Sequence, residues 1–379
     1  MTKRLIILGA SVRAAAFSAI RAGFEPYAID CYADRDLSAV CPTVKIERYP
    51  RDFVPALAAA PQTPWIYTGG LENYPRLVER LAALRSLWGN VGKGLREVRR
   101  PVRLLEAAVE AGLGYPRTQS EVSPQERPTR WLVKRRRSSG GLGVRFARDA
   151  ETARLNRGSH YQEYVEGQAA SATFVAAFGR AILLGATQQL LGHESGISDR
   201  PFLYAGSIAP FDLNEDEIAR LQALGGWLAK QLGLVGLFGI DFIRTSQGLW
   251  LIEVNPRYTA SVEVLERAMN VSILALHATA CQHGELPDQP LIEATSFAGK
   301  QVVYAESAGV IPLVFGELVD ELNRPGRPTE IADLPRIGER IAAGQPVATV
   351  FAGGANAGEV TVNLIARAAA VSKVLSTKY

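Results

Sequence analysis

Two apolar, β-branched and aromatic runs, Leu237-Phe238-Gly239-Ile240-Asp241-Phe242-Ile243 and Leu249-Trp250-Leu251-Ile252-Glu253-Val254-Asn255, flank the short polar stretch Thr245-Ser246-Gln247-Gly248. The pattern predicts a β-hairpin. The acidic and amide side chains inside the runs need a reason to be there. Side chains alternate faces along a strand, so Glu253 and Asn255 share one face. A three-residue loop, Ser246 to Gly248 with Gly248 at positive φ, places Asp241 opposite Glu253. A hairpin with its polar face in water is the plainer alternative. That face would then be Gly239, Asp241 and Ile243 against Leu251, Glu253 and Asn255, which is too apolar for a wetted surface. Two carboxylates so close repel unless a cation lies between them. Oxygen-only ligands favour a hard ion such as Mg2+, which takes one or two carboxylates plus substrate phosphates. Pro256 ends the strand and Arg257 follows, a permanent cation beside Asp241, Glu253 and Asn255. Metal and guanidinium together suit phosphoryl transfer.

At 379 residues and 41.0 kDa the chain predicts two or three domains. Its 42 basic and 38 acidic residues leave a net charge of +4, too mild for a nucleic-acid partner but suited to an anionic ligand. No apolar run is long enough to span a membrane, and the start, Met1 to Gly9, reads as a strand. Cys31, Cys41 and Cys281 form no CxxC pair and read as small buried hydrophobes, with a reducing cytoplasm expected.

The chain begins with a β-α-β pattern: Leu5–Leu8, the turn Gly9-Ala10-Ser11, a helix over Val12–Ala22 ended by Gly23, then Tyr27–Asp30. One glycine in the turn falls short of a dinucleotide fingerprint, but the helix start is an anion site with Arg13 in its first turn. Trp65–Thr68 predicts another strand, and Gly69-Gly70 a turn in a ligand crevice. A helix is expected over Val98–Ala111 with Val102, Leu105, Ala108 and Val109 as its apolar residues. A strand ending at Lys134 leads through Ser139, Gly140 and Gly141 into a strand around Val144–Phe146. Glycines let backbone N–H groups close on phosphate and the lysine adds a point charge. Asn214 predicts a capping box with Glu217, and Ile218, Leu221, Leu224, Leu228 and Leu232 its helix's buried stripe. His193 reads as a solvated loop histidine. Helices follow from Ser261 to Met269 and, beyond a break at Asn270, to His283.

Asp241 followed by Glu253-Val254-Asn255-Pro256-Arg257 resembles the metal-binding core of the ATP-grasp superfamily. Asn255 to Glu263 is similar to its branch of carboxylate–amine ligases related to biotin carboxylase, which includes pyrrolysine- and methanofuran-building ligases. The resemblance implies ATP and Mg2+ (or Mn2+) as cofactors. The glycine-rich strand-loop-strand around Lys134 to Val144 would belong to a phosphate lid, with Lys134 a contact on the α-phosphate side and Gln162, Glu163 and Val165 the adenine hinge. Arg257 and Lys134 would be catalytic. Ser11, Arg13, Gly206, Ser207, Tyr258 and Ser261 are its substrate candidates. The chain departs from many relatives in carrying Gln168-Ala169-Ala170-Ser171 where a ribose-binding glutamate is usual, and arginines from Arg99 to Arg103 where a phosphate lysine is usual.

The expected architecture is α/β: a Rossmann-like domain over 1–95, an ATP-grasp domain over 96–290 with its lid at about 119–162, and a small β-rich domain over 291–379. The expected reaction is ATP-dependent joining of a carboxylate to an amine through an acyl phosphate, with an amino acid and a cofactor precursor as the substrates suggested by the branch. The alternatives are a carboxylase that phosphorylates bicarbonate and a nucleotide-binding protein without turnover. Small-molecule substrates are the expected partners, with a homodimer admissible and neither nucleic acid nor membrane involved.

Overall fold

The computed structural model describes residues 3–121, 130–147, 155, 158–195, 197, 199–290 and 294–376. The parts of the expected lid at 122–129, 148–154 and 156–157 therefore lie outside the described residues.

The first segment is a parallel sheet of order Thr43–Lys45, Phe24–Asp30, Lys3–Leu8, Trp65–Tyr67. Its central strand is fully buried from Leu5 to Leu8, as expected for a strand covered on both faces. The helix Arg13–Arg21 packs its alanines against this sheet and against the helices that follow the hairpin.

The middle of the molecule is an antiparallel sheet of eight strands. Its order is Gly248–Asn255, Gly236–Thr245, Gln168–Ala177, Arg180–Leu191, Tyr204–Ala209, Phe297–Tyr304, Pro346–Gly354, Ile331–Ala332. Alternation along Gln168–Ala177 divides its faces. Ala170, Ala172, Phe174 and Ala176 meet Leu221, Leu224, Leu228 and Leu232 of the helix Glu215–Leu232, while Val175 and Ala177 meet the helices Ala260–Met269 and Ile273–His283. The capping box forms as read: the Asn214 side chain accepts from Glu217 N and the Glu217 carboxylate accepts from Asn214 N. Asn214→Ala should lower unfolding free energy by about 1 kcal/mol, measured by urea denaturation.

The helix expected over 98–111 runs Pro101–Glu110, and its stripe differs from the reading. Leu104, Ala107 and Ala108 are buried, whereas Val102, Leu105 and Val109 are exposed. Proline at the first helical position fixes the start, because its missing N–H is an orphan there anyway. The C-terminal segment carries the expected short strands and adds the helices Leu313–Leu322 and Ala357–Ser376. Its longer strands continue the central sheet rather than forming a sheet apart. The cysteines are free.

A smaller antiparallel sheet, ordered Thr118–Gln119, Ser159–Glu163, Trp131–Arg135, Val144–Phe146, faces the hairpin end of the central sheet. A cleft of about 480 Å³ lies between them, closed at one end by the N-terminal segment.

Candidate active site

Asp241 does lie opposite Glu253, by a different route from the one the loop suggested. Thr245 pairs with Gly248, leaving only Ser246 and Gln247 in the turn, and a bulge then adds Ile252 to the second strand. The bulge has a consequence for which residues reach the cleft. Leu249 and Leu251 point into the core against the helix Glu215–Leu232, yet so does Val254. One extra residue inverts the alternation and turns Glu253 and Asn255 toward the cleft. Without it, Glu253 and Asn255 would share the core face with Leu249 and Leu251.

Across the hairpin, Asp241 accepts from Asn255 Nδ2 at 2.9 Å and from Gln189 Nε2 at 2.8 Å. Burial, and then the charge of Glu253, raise the Asp241 carboxyl from its ordinary 3.8 to about 6. The amide oxygen of Asn255 accepts from Arg257 Nη2 at 3.0 Å, so the guanidinium stands beside the acidic pair. Among the described residues no group of three or more His, Cys, Asp or Glu side chains could hold a metal ion. Two facing carboxylates and an amide oxygen still fit a hard cation that completes its shell with phosphate oxygens and water.

The opposite wall comes from the small sheet. Lys134 Nζ donates to Gln162 Oε1 at 3.0 Å. Burial lowers the Lys134 ammonium, against the opposing pull of Glu253 and Asp241. That arrangement aims a positive charge across the cleft at the acidic pair. Ser139, Gly140, Gly141, Glu163 and Val165 also line the cleft. Gly141 is required by packing as much as by any ligand: its φ is +74°, and a Cβ would sit 1.7 Å from the Phe202 carbonyl oxygen. Tyr204 N donates to Gly140 O at 2.9 Å, so the glycine loop rests on the 202–204 segment. Lys134→Ala should weaken binding of a non-hydrolysable ATP analogue about tenfold or more, because a charge-assisted contact is lost. Arg136 is exposed beyond the strand, and its replacement by alanine should change binding much less in the same calorimetric titration.

Of the substrate candidates, Ser11, Arg13, Tyr258 and Ser261 line the cleft and Gly206 and Ser207 do not. Ser207 is fully buried and hydrogen-bonded to the Tyr204 hydroxyl at 2.7 Å. Gly206 lets its strand approach the Lys300 carbonyl. Arg13 is buried and its guanidinium is committed to Glu263 and Asp333, joining the first, middle and last segments of the chain. Lys300 donates to Glu263 from the other side at 3.2 Å. Burial works against the Glu263 charge, but Arg13 and Lys300 outweigh it and hold the carboxyl below its ordinary range. Glu263 is therefore ion-paired rather than a proton acceptor. His193 is exposed at the cleft rim with Nδ1 2.9 Å from Pro201 O. Sequence reading missed Gln189, Lys300 and Asp333 at the cleft. All three lie on segments whose local pattern marks only a strand or a turn.

Residues 102–261 match the ATP-grasp domain family. Solved structures share the wider fold. The biotin carboxylase–β,γ-ATP complex from Campylobacter jejuni has a TM-score of 0.70 at 16% identity, over 94% of this chain and 89% of that one. The biotin carboxylase domain dimer of Hydrogenobacter thermophilus 2-oxoglutarate carboxylase, with MgADP, ADP and bicarbonate, has a TM-score of 0.68 at 19% identity, over 92% and 86%. N5-carboxyaminoimidazole ribonucleotide synthetase from Thermus thermophilus gives 0.68 at 17% identity, over 99% of both chains. The family match is confined to residues 102–261, the part of the chain that holds the cleft's lid sheet and hairpin. Over nearly its whole length the chain has the fold shared by biotin carboxylases and N5-carboxyaminoimidazole ribonucleotide synthetases.

Proposed function

We propose that this protein is an ADP-forming ligase that activates a carboxylate as an acyl phosphate and joins it to an amine. The observation that carries the reading is the convergence of Lys134, Asp241, Glu253, Asn255 and Arg257 on one cleft. ATP would lie between the small sheet and the hairpin, with the segment around Gln162, Glu163 and Val165 toward the base. Asp241, Glu253 and Asn255 would hold Mg2+, which supplies charge neutralisation to the phosphates. The amide oxygen of Asn255, now bonded to Arg257, is one of the groups that would be shared. Lys134 from one wall and Arg257 from the other stabilise charge on the transferring group. The carboxylate oxygen forms the new P–O bond as the bond from the γ-phosphorus to the β–γ bridging oxygen breaks. The amine then attacks the acyl carbon and inorganic phosphate leaves. Such chemistry depends on positioning and electrostatics, so no nucleophile–base pair is required of the protein.

The branch resemblance favours an amino acid joined to a cofactor precursor. A second reading, phosphorylation of bicarbonate, draws on the fold shared with the biotin carboxylases. A coupled assay for ADP release from MgATP separates them. Release that depends on a small carboxylate and an amine supports the ligase. Release that depends on bicarbonate alone supports the carboxylase. Tight ATP binding with no release under either condition returns a binding protein without turnover.

A further inference from the structure

The N-terminal segment sends one acidic side chain into the site from behind. Glu72 follows the turn Gly69-Gly70 and is 1% exposed. Its Oε1 accepts from Arg257 Nε at 2.7 Å. Arg257 is further fixed by Tyr258 O at 3.1 Å and Asn255 Oδ1 at 3.0 Å. Gly69 backs the same guanidinium, and a Cβ there would stand 3.4 Å from Arg257 Cζ. Three of the five guanidinium N–H groups are thus directed away from the cleft or along its wall, which sets where the other two point.

Glu72 is linked to the glycine-rich loop through Arg99. Arg99 Nη2 lies 3.9 Å from Glu72 Oε1, and Arg99 Nη1 donates to Arg136 O at 3.2 Å. The neighbouring Asn73 Nδ2 donates to Ser138 O at 3.2 Å. Glu72 Oε2, Asn73 Oδ1 and Arg99 Nε are buried without a hydrogen-bond partner. A buried carboxylate with an unpaired oxygen is unfavourable for folding alone, so its placement calls for a reason other than stability.

We propose that Glu72 is a positioning residue for the phosphoryl transfer: it orients the Arg257 guanidinium toward the transferring group. The proposal rests on the reading of Arg257 as a phosphoryl-stabilising group. Misdirecting such a group by about an ångström is enough to slow turnover about 10²-fold.

The test is a double-mutant cycle read as ADP release from MgATP, with a mixed pool of amino acids and small dicarboxylates as acceptors. Glu72→Ala should lower kcat about 10²-fold with little change in the KM for ATP. Glu72→Gln keeps an acceptor oxygen at the same place and should recover at least about tenfold of that loss. If the alanine variant does not fold, the cycle is run with glutamine, which should still show a loss in kcat rather than in KM. In the Arg257→Ala background the Glu72 substitution should add almost nothing, since the group it orients is gone. Full additivity of the two losses, or a Glu72 effect confined to melting temperature, would overturn the positioning role. If Arg257→Ala alone leaves turnover intact, the failure lies with the reading of Arg257, and the Glu72 proposal falls with it.

Discussion

Glu253→Gln is expected to lower magnesium-dependent ADP release by at least about 10²-fold while the protein stays folded. The amide is nearly isosteric with the carboxylate but lacks its charge, and neutral oxygens are weak ligands for a hard cation. The same substitution removes the like charge facing Asp241. Its carboxyl is raised from 3.8 to about 6, by burial first and by Glu253 second. A raised carboxylate pKa means that ionisation works against the folded state, with stability lost as pH rises from the unfolded value through 6. Relieving part of that strain should leave the melting temperature near pH 7 unchanged or higher. The two readouts therefore move apart, activity down and stability level or up. A parallel loss of both would mean that Glu253 is structural. A retained rate with unchanged magnesium dependence would remove it from the metal site.

Arg257→Ala is expected to have a comparable or larger effect, about 10³-fold on turnover, because a guanidinium at a transferring phosphoryl group stabilises charge that develops only in the transition state. Burial pulls the Arg257 guanidinium down, but Glu72 and the acidic pair outweigh it and raise it further above its ordinary value. The cation is thus permanent. Lysine is a poor replacement, since it cannot donate at once to Glu72, Asn255 and Tyr258 O as the planar fork does. Arg257→Lys should recover less than about a tenth of the lost rate. KM for ATP should change little in either variant if Arg257 acts in the transition state, as steady-state kinetics over a range of ATP concentrations would show.

The parts of the site legible in sequence were those with a local pattern behind them. Asp241 and Glu253 stood out because charge interrupts strands that are otherwise apolar, and Arg257 because it follows directly on the proline that ends the second of them. The pairing of Asp241 with Glu253 was readable, but the loop length that led to it was not. A two-residue turn plus the extra Ile252 gives the same opposition as a three-residue turn alone, and only the bulge explains why Leu251 and Val254 share the core. The Asn214–Glu217 cap was readable because both of its hydrogen bonds are made within one turn of chain. The long C-terminal helix was missed although its signal is present: Val360, Leu364, Ala368 and Val371 are its buried stripe. The short turn and strand signals before it drew the whole segment toward β structure. Glu72, Lys300 and the ion pairs of Arg13 were hidden for a different reason. Their partners, Arg257 and Glu263, lie far along the chain, and no periodicity reports a contact made only in three dimensions. Among the described residues no helix is long and apolar enough to cross a membrane.

The most direct test of the central claim is product analysis with hydroxylamine supplied in place of the amine. On the proposed reading Lys134 and Arg257 serve, together with the acidic hairpin, transfer of the terminal phosphoryl group. Once a carboxylate acceptor is found in the ADP-release assay, hydroxylamine should capture the acyl phosphate as a hydroxamate, with one ADP and one phosphate formed for each hydroxamate. Arg257→Ala should suppress capture and ADP together. AMP and pyrophosphate in place of ADP would mean attack at the α-phosphate and would contradict the mechanism.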